Sequence, residues 1–190
     1  MANIIIDGFP NEHNGLKLRT DFKTSMLFEL LMQDHELTDE QKTLQAFGLY
    51  FDENEILKAL ENPQNALNTI LWFYTRGDSE NVKPQNKNKD KPKQIYSFEF
   101  DANLIYSAFY ETYKIDLTES NMHWWKFKAL FEGLSKNCKI MEIMGYRGVD
   151  LGKIKDKQEK ERYKKLQKLY ALPDMRTDEE KQQDFGRAFW

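Results

Sequence analysis

The sequence predicts a mainly α-helical fold, built as two small helical lobes with a short β-hairpin at the N-terminus. Apolar residues recur every three to four positions along most of the chain, which is typical of amphipathic helices. Several of these stretches begin at Thr, Asp or Asn and end near Gly or Pro. Residues 78–94 interrupt them with five lysines and a single apolar residue, Val82, which predicts a flexible linker. The predicted division is therefore 1–77, 78–94 and 95–190.

The hairpin is predicted from the first 18 residues. Residues 4–6 are three isoleucines, a β-branched run that favours a strand. Asn14-Gly15 is a turn former, and Leu16 and Leu18 alternate with polar residues after it.

Cap signals predict the helices of the first lobe. Thr20 is placed to cap the first helix, and Thr38 with Gln41 forms a capping box before the second. A short helix follows over residues 53–60, and Asn62-Pro63 opens a fourth with proline at its first position. Gly77 is a natural stop for that helix.

Cap signals also predict the helices of the second lobe. Asp101 and Thr118 are the expected caps of two helices, and a shorter helix is expected over residues 140–146. Residues 153–170 form a charged helix, and Thr177 opens a last one.

Motifs for chemistry are missing. No glycine-rich phosphate loop is present, and the three histidines and Cys138 are too scattered for a metal site. Cys138 is expected to be a small side chain near the core. We therefore expect no catalysis, no metal and no cofactor.

Hydropathy and charge indicate where the protein acts and how its parts attract one another. No apolar run approaches the roughly 20 residues of a membrane span, and no secretion signal is visible, which favours the cytoplasm. The formal net charge is -3, but residues 1–77 hold 6 basic against 12 acidic residues (6 − 12 = −6) and residues 153–170 hold 8 against 3 (8 − 3 = +5). These ends are expected to attract each other, within one molecule or between copies.

The most unusual local sequence is His123-Trp-Trp-Lys-Phe-Lys-Ala-Leu130. On a helix, Trp124 and Phe127 share the apolar face, and Trp125 is expected to be more peripheral. Two interpretations of these tryptophans stay open. They either pack in the core or form a protein-binding surface, and the second is possible because tryptophan is enriched among interface anchors.

These residues carry a resemblance. Residues 100–173 resemble the bacteriophage gene-product-fifteen family of siphophages infecting Gram-positive bacteria. The resemblance rests on DANLIY at 101–106, YKIDL at 113–117, HWWKFKAL at 123–130, IMGYR at 143–147 and YALP at 170–173. Thr20-Asp-Phe22 and the helix end at Phe73–Gly77 resemble the N-terminal half of the family.

The resemblance implies a function. Genes of this family typically lie between those of the major tail protein and the tape-measure protein, which implies a non-catalytic tail-assembly chaperone. Such a protein is expected to bind and solubilise the tape-measure protein, help recruit tail-tube subunits, and associate with itself. It is expected in the cytoplasm of the infected bacterium and not in the mature virion.

Trp124, Trp125, Phe127, Tyr146 and Arg147 are the predicted partner-binding residues. Two alternatives stay open: a structural tail or connector component of the virion, and a nucleic-acid-binding phage factor. The second would use the Lys-rich residues 83–93 and the basic helix, although the helix interleaves acids with its bases.

Overall fold

A computed structural model describes residues 4–78 and 93–174. It confirms a mainly helical fold with a short antiparallel hairpin near the N-terminus. Strand β1 (Glu12–His13) pairs with β2 (Leu16–Lys17). Asn14 and Gly15 make the turn with φ angles of 49° and 77°, a conformation that Asn and Gly adopt most readily. Residues 4–6 are exposed and lie outside the sheet, so the isoleucine run does not form the strand predicted for it.

The described residues form eight helices that match the predicted ones in order and approximate extent. They are α1 (Phe22–Gln33), α2 (Asp39–Tyr50), α3 (Glu53–Glu61), α4 (Pro63–Tyr74), α5 (Ala102–Tyr113), α6 (Trp124–Glu132), α7 (Lys139–Gly148) and α8 (Lys157–Leu169).

Some predicted caps are confirmed and others are displaced. Thr38 and Gln41 complete the capping box of α2, and Pro63 begins α4 behind an Asn62 cap. The cap of α1 is Asp21, one residue after the predicted Thr20, because the carboxylate accepts from the Thr24 N–H. The cap of α6 is His123, since Thr118 belongs to the preceding turn.

Asp101 precedes α5 but makes no side-chain cap bond. Its carboxylate instead accepts from the backbone N–H of Ser97 and pairs with Arg147 of α7. The predicted position of Asp101 before α5 is confirmed. Its predicted role as a side-chain cap is wrong, because the carboxylate pairs with Arg147.

Both described segments contribute to one hydrophobic core. The N–H of Phe22 donates to the Met122 carbonyl oxygen at 2.9 Å, and the N–H of Trp124 donates to the Thr20 carbonyl oxygen at 2.7 Å. These two bonds hold the start of α1 against the start of α6. The largest fully buried side chains come from both segments: Tyr50, Phe47, Phe51, Phe73, Phe109, Trp124, Trp125 and Phe127.

The predicted division into two lobes stays a prediction, and the structure places the two segments in contact through this common core. Most of the predicted linker, residues 79–92, and the helix predicted from Thr177 lie outside the described residues. Cys138, expected near the core, is half-buried and packs against it.

Candidate partner-binding surface

The tryptophan pair forms the joint between the two segments. Trp124 and Trp125 are 0% and 1% exposed. Their indole N–H groups donate to the carbonyl oxygens of Tyr74 at 2.9 Å and Phe73 at 2.7 Å, both at the end of α4. A buried indole N–H needs such a partner, and the last carbonyls of a helix have none within the helix. Each tryptophan therefore donates to a carbonyl at the α4 end, and the Phe73 carbonyl also accepts from the Arg76 N–H at 3.2 Å.

Ring packing completes this joint. Trp124 stacks on Tyr74 with centroids 5.4 Å apart, and Phe127 lies between Phe22 and Phe109 at 5.0 and 4.9 Å. Phe127 is 0% exposed. The expectation that Trp125 is peripheral is wrong, because the end of α4 covers the side of α6 that sequence spacing left open.

His123 fixes the first turn of α6. Its Nδ1 accepts from the Trp125 N–H at 3.1 Å, and its Nε2 lies 2.9 Å from the Pro10 carbonyl oxygen. An acceptor at Nδ1 and a donor at Nε2 define the neutral tautomer that carries its proton on Nε2. Burial lowers the pKa of His123, opposed by the bond to Pro10, which agrees with a neutral ring.

Arg147 lies in a second buried joint. Its guanidinium forms two bonds to the Asp101 carboxylate, at 2.6 and 3.0 Å, and also donates to the carbonyl oxygens of Ile95 and Tyr170. Arg147 is 7% exposed and Asp101 3%. Neighbouring Tyr146 is half-buried and stacks on Tyr170. Arg147 thus joins α5, α7 and the chain after α8.

The structure therefore places most of the predicted binding residues in the protein interior. Trp124, Trp125, Phe127 and Arg147 are buried, and only Tyr146 keeps a partly exposed side chain. That any of them binds a partner stays a prediction.

A polar group lies inside the first joint. The Tyr74 hydroxyl donates to the carboxylate of Glu29 of α1. Burial raises the pKa of Glu29, opposed by this bond and by the charge of Lys128, and burial lowers the pKa of Lys128. The Lys128 ammonium lies 5.6 Å from the centroid of the Trp124 ring. The Tyr74–Glu29 bond links α4 to α1, and the charge of Lys128 on α6 favours the ionised form of Glu29.

An open apolar groove, the α1/α5 groove, offers a surface for a partner. Its volume is about 530 Å³. Core side chains form its floor, and half-buried or exposed residues form its rim. The lining residues are Phe22, Lys23, Met26, Phe98, Ala102, Asn103, Ile105, Tyr106, Leu117 and Thr118.

Sequence reasoning missed this groove. Helical spacing predicts that α1 and α5 each have an apolar face, but it does not tell which part of such a face is left uncovered. The groove exists because α1 and α5 both pack on α6, through Phe22 and Phe109 against Phe127, and leave space between them.

The described residues give no sign of a metal or membrane site. Within 4–78 and 93–174, no three or more His, Cys, Asp or Glu side chains are grouped to hold a metal ion. Across the same ranges, no helix has the length and apolar character needed to cross a membrane.

Fold and surface thus define a small helical protein with an aromatic core and an open apolar groove. The family model described as Bacteriophage Gp15 protein matches residues 5–172, and the chain belongs to that family. This confirms the resemblance found in the sequence and makes the chain a phage protein. Neither a curated protein nor a solved structure matches it.

Proposed function

We propose that this chain is a non-catalytic tail-assembly chaperone that binds the tape-measure protein of its phage, keeps it soluble and helps recruit tail-tube subunits. The observation that carries the proposal is the family match over residues 5–172. Genes of the gene-product-fifteen family typically neighbour the gene of the tape-measure protein. The role is exercised in the cytoplasm of the infected bacterium, and the chaperone leaves before the virion is complete.

Physical reasoning supports a need for such a protein. A tape-measure protein is a very long helical chain, and its apolar stripes stay exposed until the tail tube encloses them. Large exposed apolar surfaces promote aggregation. Many copies of a small protein, each binding weakly, are able to mask a long chain through multivalency.

The α1/α5 groove is our candidate for the binding surface. Phe22, Ile105 and Leu117 give it an apolar floor, and Lys23 and Asn103 give it polar rim positions. An amphipathic helix binds such a groove through apolar residues spaced at i, i+3 or i+4, and i+7. The same spacing recurs along the stripe of a helical tape measure, so one groove is able to accept many successive sites.

Co-expression with the tape-measure protein tests the function. We expect this chain to move the tape-measure protein into the soluble fraction and to co-purify with it. A tape-measure protein that stays insoluble, with nothing co-purifying, would remove the proposed role.

Two matched variants of α5 test the groove separately. Ala102→Trp places a large ring at an exposed position of the groove lining, whereas Ser107→Trp adds the same ring at an exposed position of α5 outside that lining. We expect A102W to lose co-purification and S107W to keep it. Equal binding by both variants would leave the function standing and show that the groove is the wrong surface.

A further inference from the structure

A second open pocket, the acidic pocket, lies near the end of the described chain. Its volume is about 360 Å³. Apolar side chains line it together with His35 and three carboxylates, those of Asp34, Glu36 and Glu99, and no Lys or Arg is among its lining residues. The apolar lining residues are Leu30, Phe100, Leu172 and Pro173.

The pocket presents negative charge that no Lys or Arg of its lining offsets. The Asp34 carboxylate accepts from the Glu36 backbone N–H at 2.8 Å, but none of the three forms an ion pair with a residue in the described part of the chain. The side chains of Glu36 and Glu99 are exposed. A ligand for this pocket therefore combines an apolar group with positive charge.

Helix α8 carries a surface of that kind. Arg162, Lys165 and Leu169 are spaced at i, i+3 and i+7, so they follow one side of the helix, and all three are exposed. We name these three residues the α8 stripe. Leu169 is 71% exposed, and neither cation forms an ion pair within 4–78 or 93–174.

The stripe and the pocket are close in the chain. Leu169 lies three residues before Leu172 and four before Pro173, which line the pocket. The stripe faces solvent, so it does not fill the pocket of its own molecule. When two complementary surfaces are neighbours on one molecule, a two-fold axis between two copies is able to bring both pairs into contact in a single closed interface.

We propose that a second copy of this chain occupies the acidic pocket, in a symmetric pair that inserts each Leu169 between the partner's apolar lining residues. Arg162 and Lys165 then face the carboxylates of the pocket. Charge complementarity carries the proposal: the stripe belongs to a segment of net charge +5, from 8 basic and 3 acidic residues over 153–170, and the pocket has three carboxylates. This inference is independent of the proposed chaperone role.

Sedimentation velocity at low and high ionic strength, about 0.05 M and 0.5 M, tests the pair. We expect a dimer at low ionic strength, and a dissociation constant of that dimer at least about tenfold higher at high ionic strength, because salt screens the attraction between the opposite charges. A chain that is monomeric at low ionic strength would overturn the proposal. A monomer that retards DNA at low ionic strength would also overturn it and assign the stripe to nucleic acid.

Charge reversal tests which surfaces meet. Arg162→Glu with Lys165→Glu reverses the stripe, and Glu36→Lys with Glu99→Lys reverses the pocket. All four positions are exposed, so folding should be kept. We expect each double variant to be monomeric alone and an equimolar mixture of the two to dimerise, because in the mixed pair both contacts join opposite charges.

The matched control is Lys157→Glu with Lys164→Glu. It makes the same change in charge on another exposed side of α8. We expect it to stay dimeric at low ionic strength. Dissociation of this control, or failure of the two reversed variants to pair in the mixture, would show that net charge and not this contact governs association.

Discussion

The indole N–H of Trp125 donates to the main-chain carbonyl oxygen of Phe73 at 2.7 Å, and the side chains of both residues are fully buried. This bond links the start of α6 to the end of α4, and so it links the two described segments of the chain. The most distinctive sequence of the chain, HWWKFKAL, therefore acts in folding.

Replacing Trp125 by Phe should destabilise the protein. The variant removes the indole donor from the Phe73 carbonyl, which keeps only the longer bond from the Arg76 N–H at 3.2 Å. The lost indole bond and the cavity left by the smaller ring together should cost about 1–3 kcal/mol. Urea unfolding measures the change. The control Leu57→Ala removes an apolar side chain that is 64% exposed, and should cost less than about 0.5 kcal/mol. Equal losses in both variants would contradict the buried joint.

Arg147→Met should be far more damaging than Arg76→Met. The first leaves the buried Asp101 carboxylate without its partner, at a cost of about 3–5 kcal/mol. The second breaks the Arg76–Glu132 pair, which is partly exposed and should be worth about 0–1 kcal/mol. Both free energies of unfolding come from the same urea titration. A small effect at Arg147 would mean that the guanidinium does not join α5 and α7.

His123 should make stability depend on pH. Its pKa is lowered by burial from the usual 6.5, so the unfolded chain binds the proton more readily than the folded protein. The stabilisation is then complete above pH 6.5 and is lost as the pH falls from 6.5 towards the lowered pKa. His123→Asn keeps a helix-capping acceptor without titrating. Unfolding free energies measured across this range should fall for the wild type relative to H123N, and parallel profiles would contradict the neutral tautomer.

The capping box offers a test on α2. Thr38→Ala removes the hydroxyl that accepts from the Gln41 N–H, and should cost about 1 kcal/mol. Thr43→Ala is the matched control, because Thr43 is inside the same helix and alanine has the higher helix propensity there. Thermal unfolding should show a lower Tm for T38A only. A similar fall in Tm in both variants would contradict a stabilising role of the Thr38 cap.

Local signals in the sequence were enough to predict the helices. Each depends on residues near in sequence, as with the Thr38 and Gln41 capping box or Pro63 at the start of α4. The strand predicted at residues 4–6 failed because β propensity alone does not provide a paired neighbour.

The surface was harder to predict than the helices. Whether Trp125 faces solvent depends on the end of α4, about 50 residues earlier in the chain, and helix order does not fix how helices cross. For the same reason the α1/α5 groove and the placing of Arg147 beside Asp101 had no local signal. The family itself was found in the sequence, because its motifs are runs of neighbouring residues.

The most direct test of the chaperone role is quantitative mass spectrometry of this chain in infected-cell lysate and in purified virions. A chaperone that is released on completion should be abundant in the lysate and absent from the particles. Presence in the particles at a fixed ratio to the tail proteins would contradict the account and make the chain a structural tail or connector component.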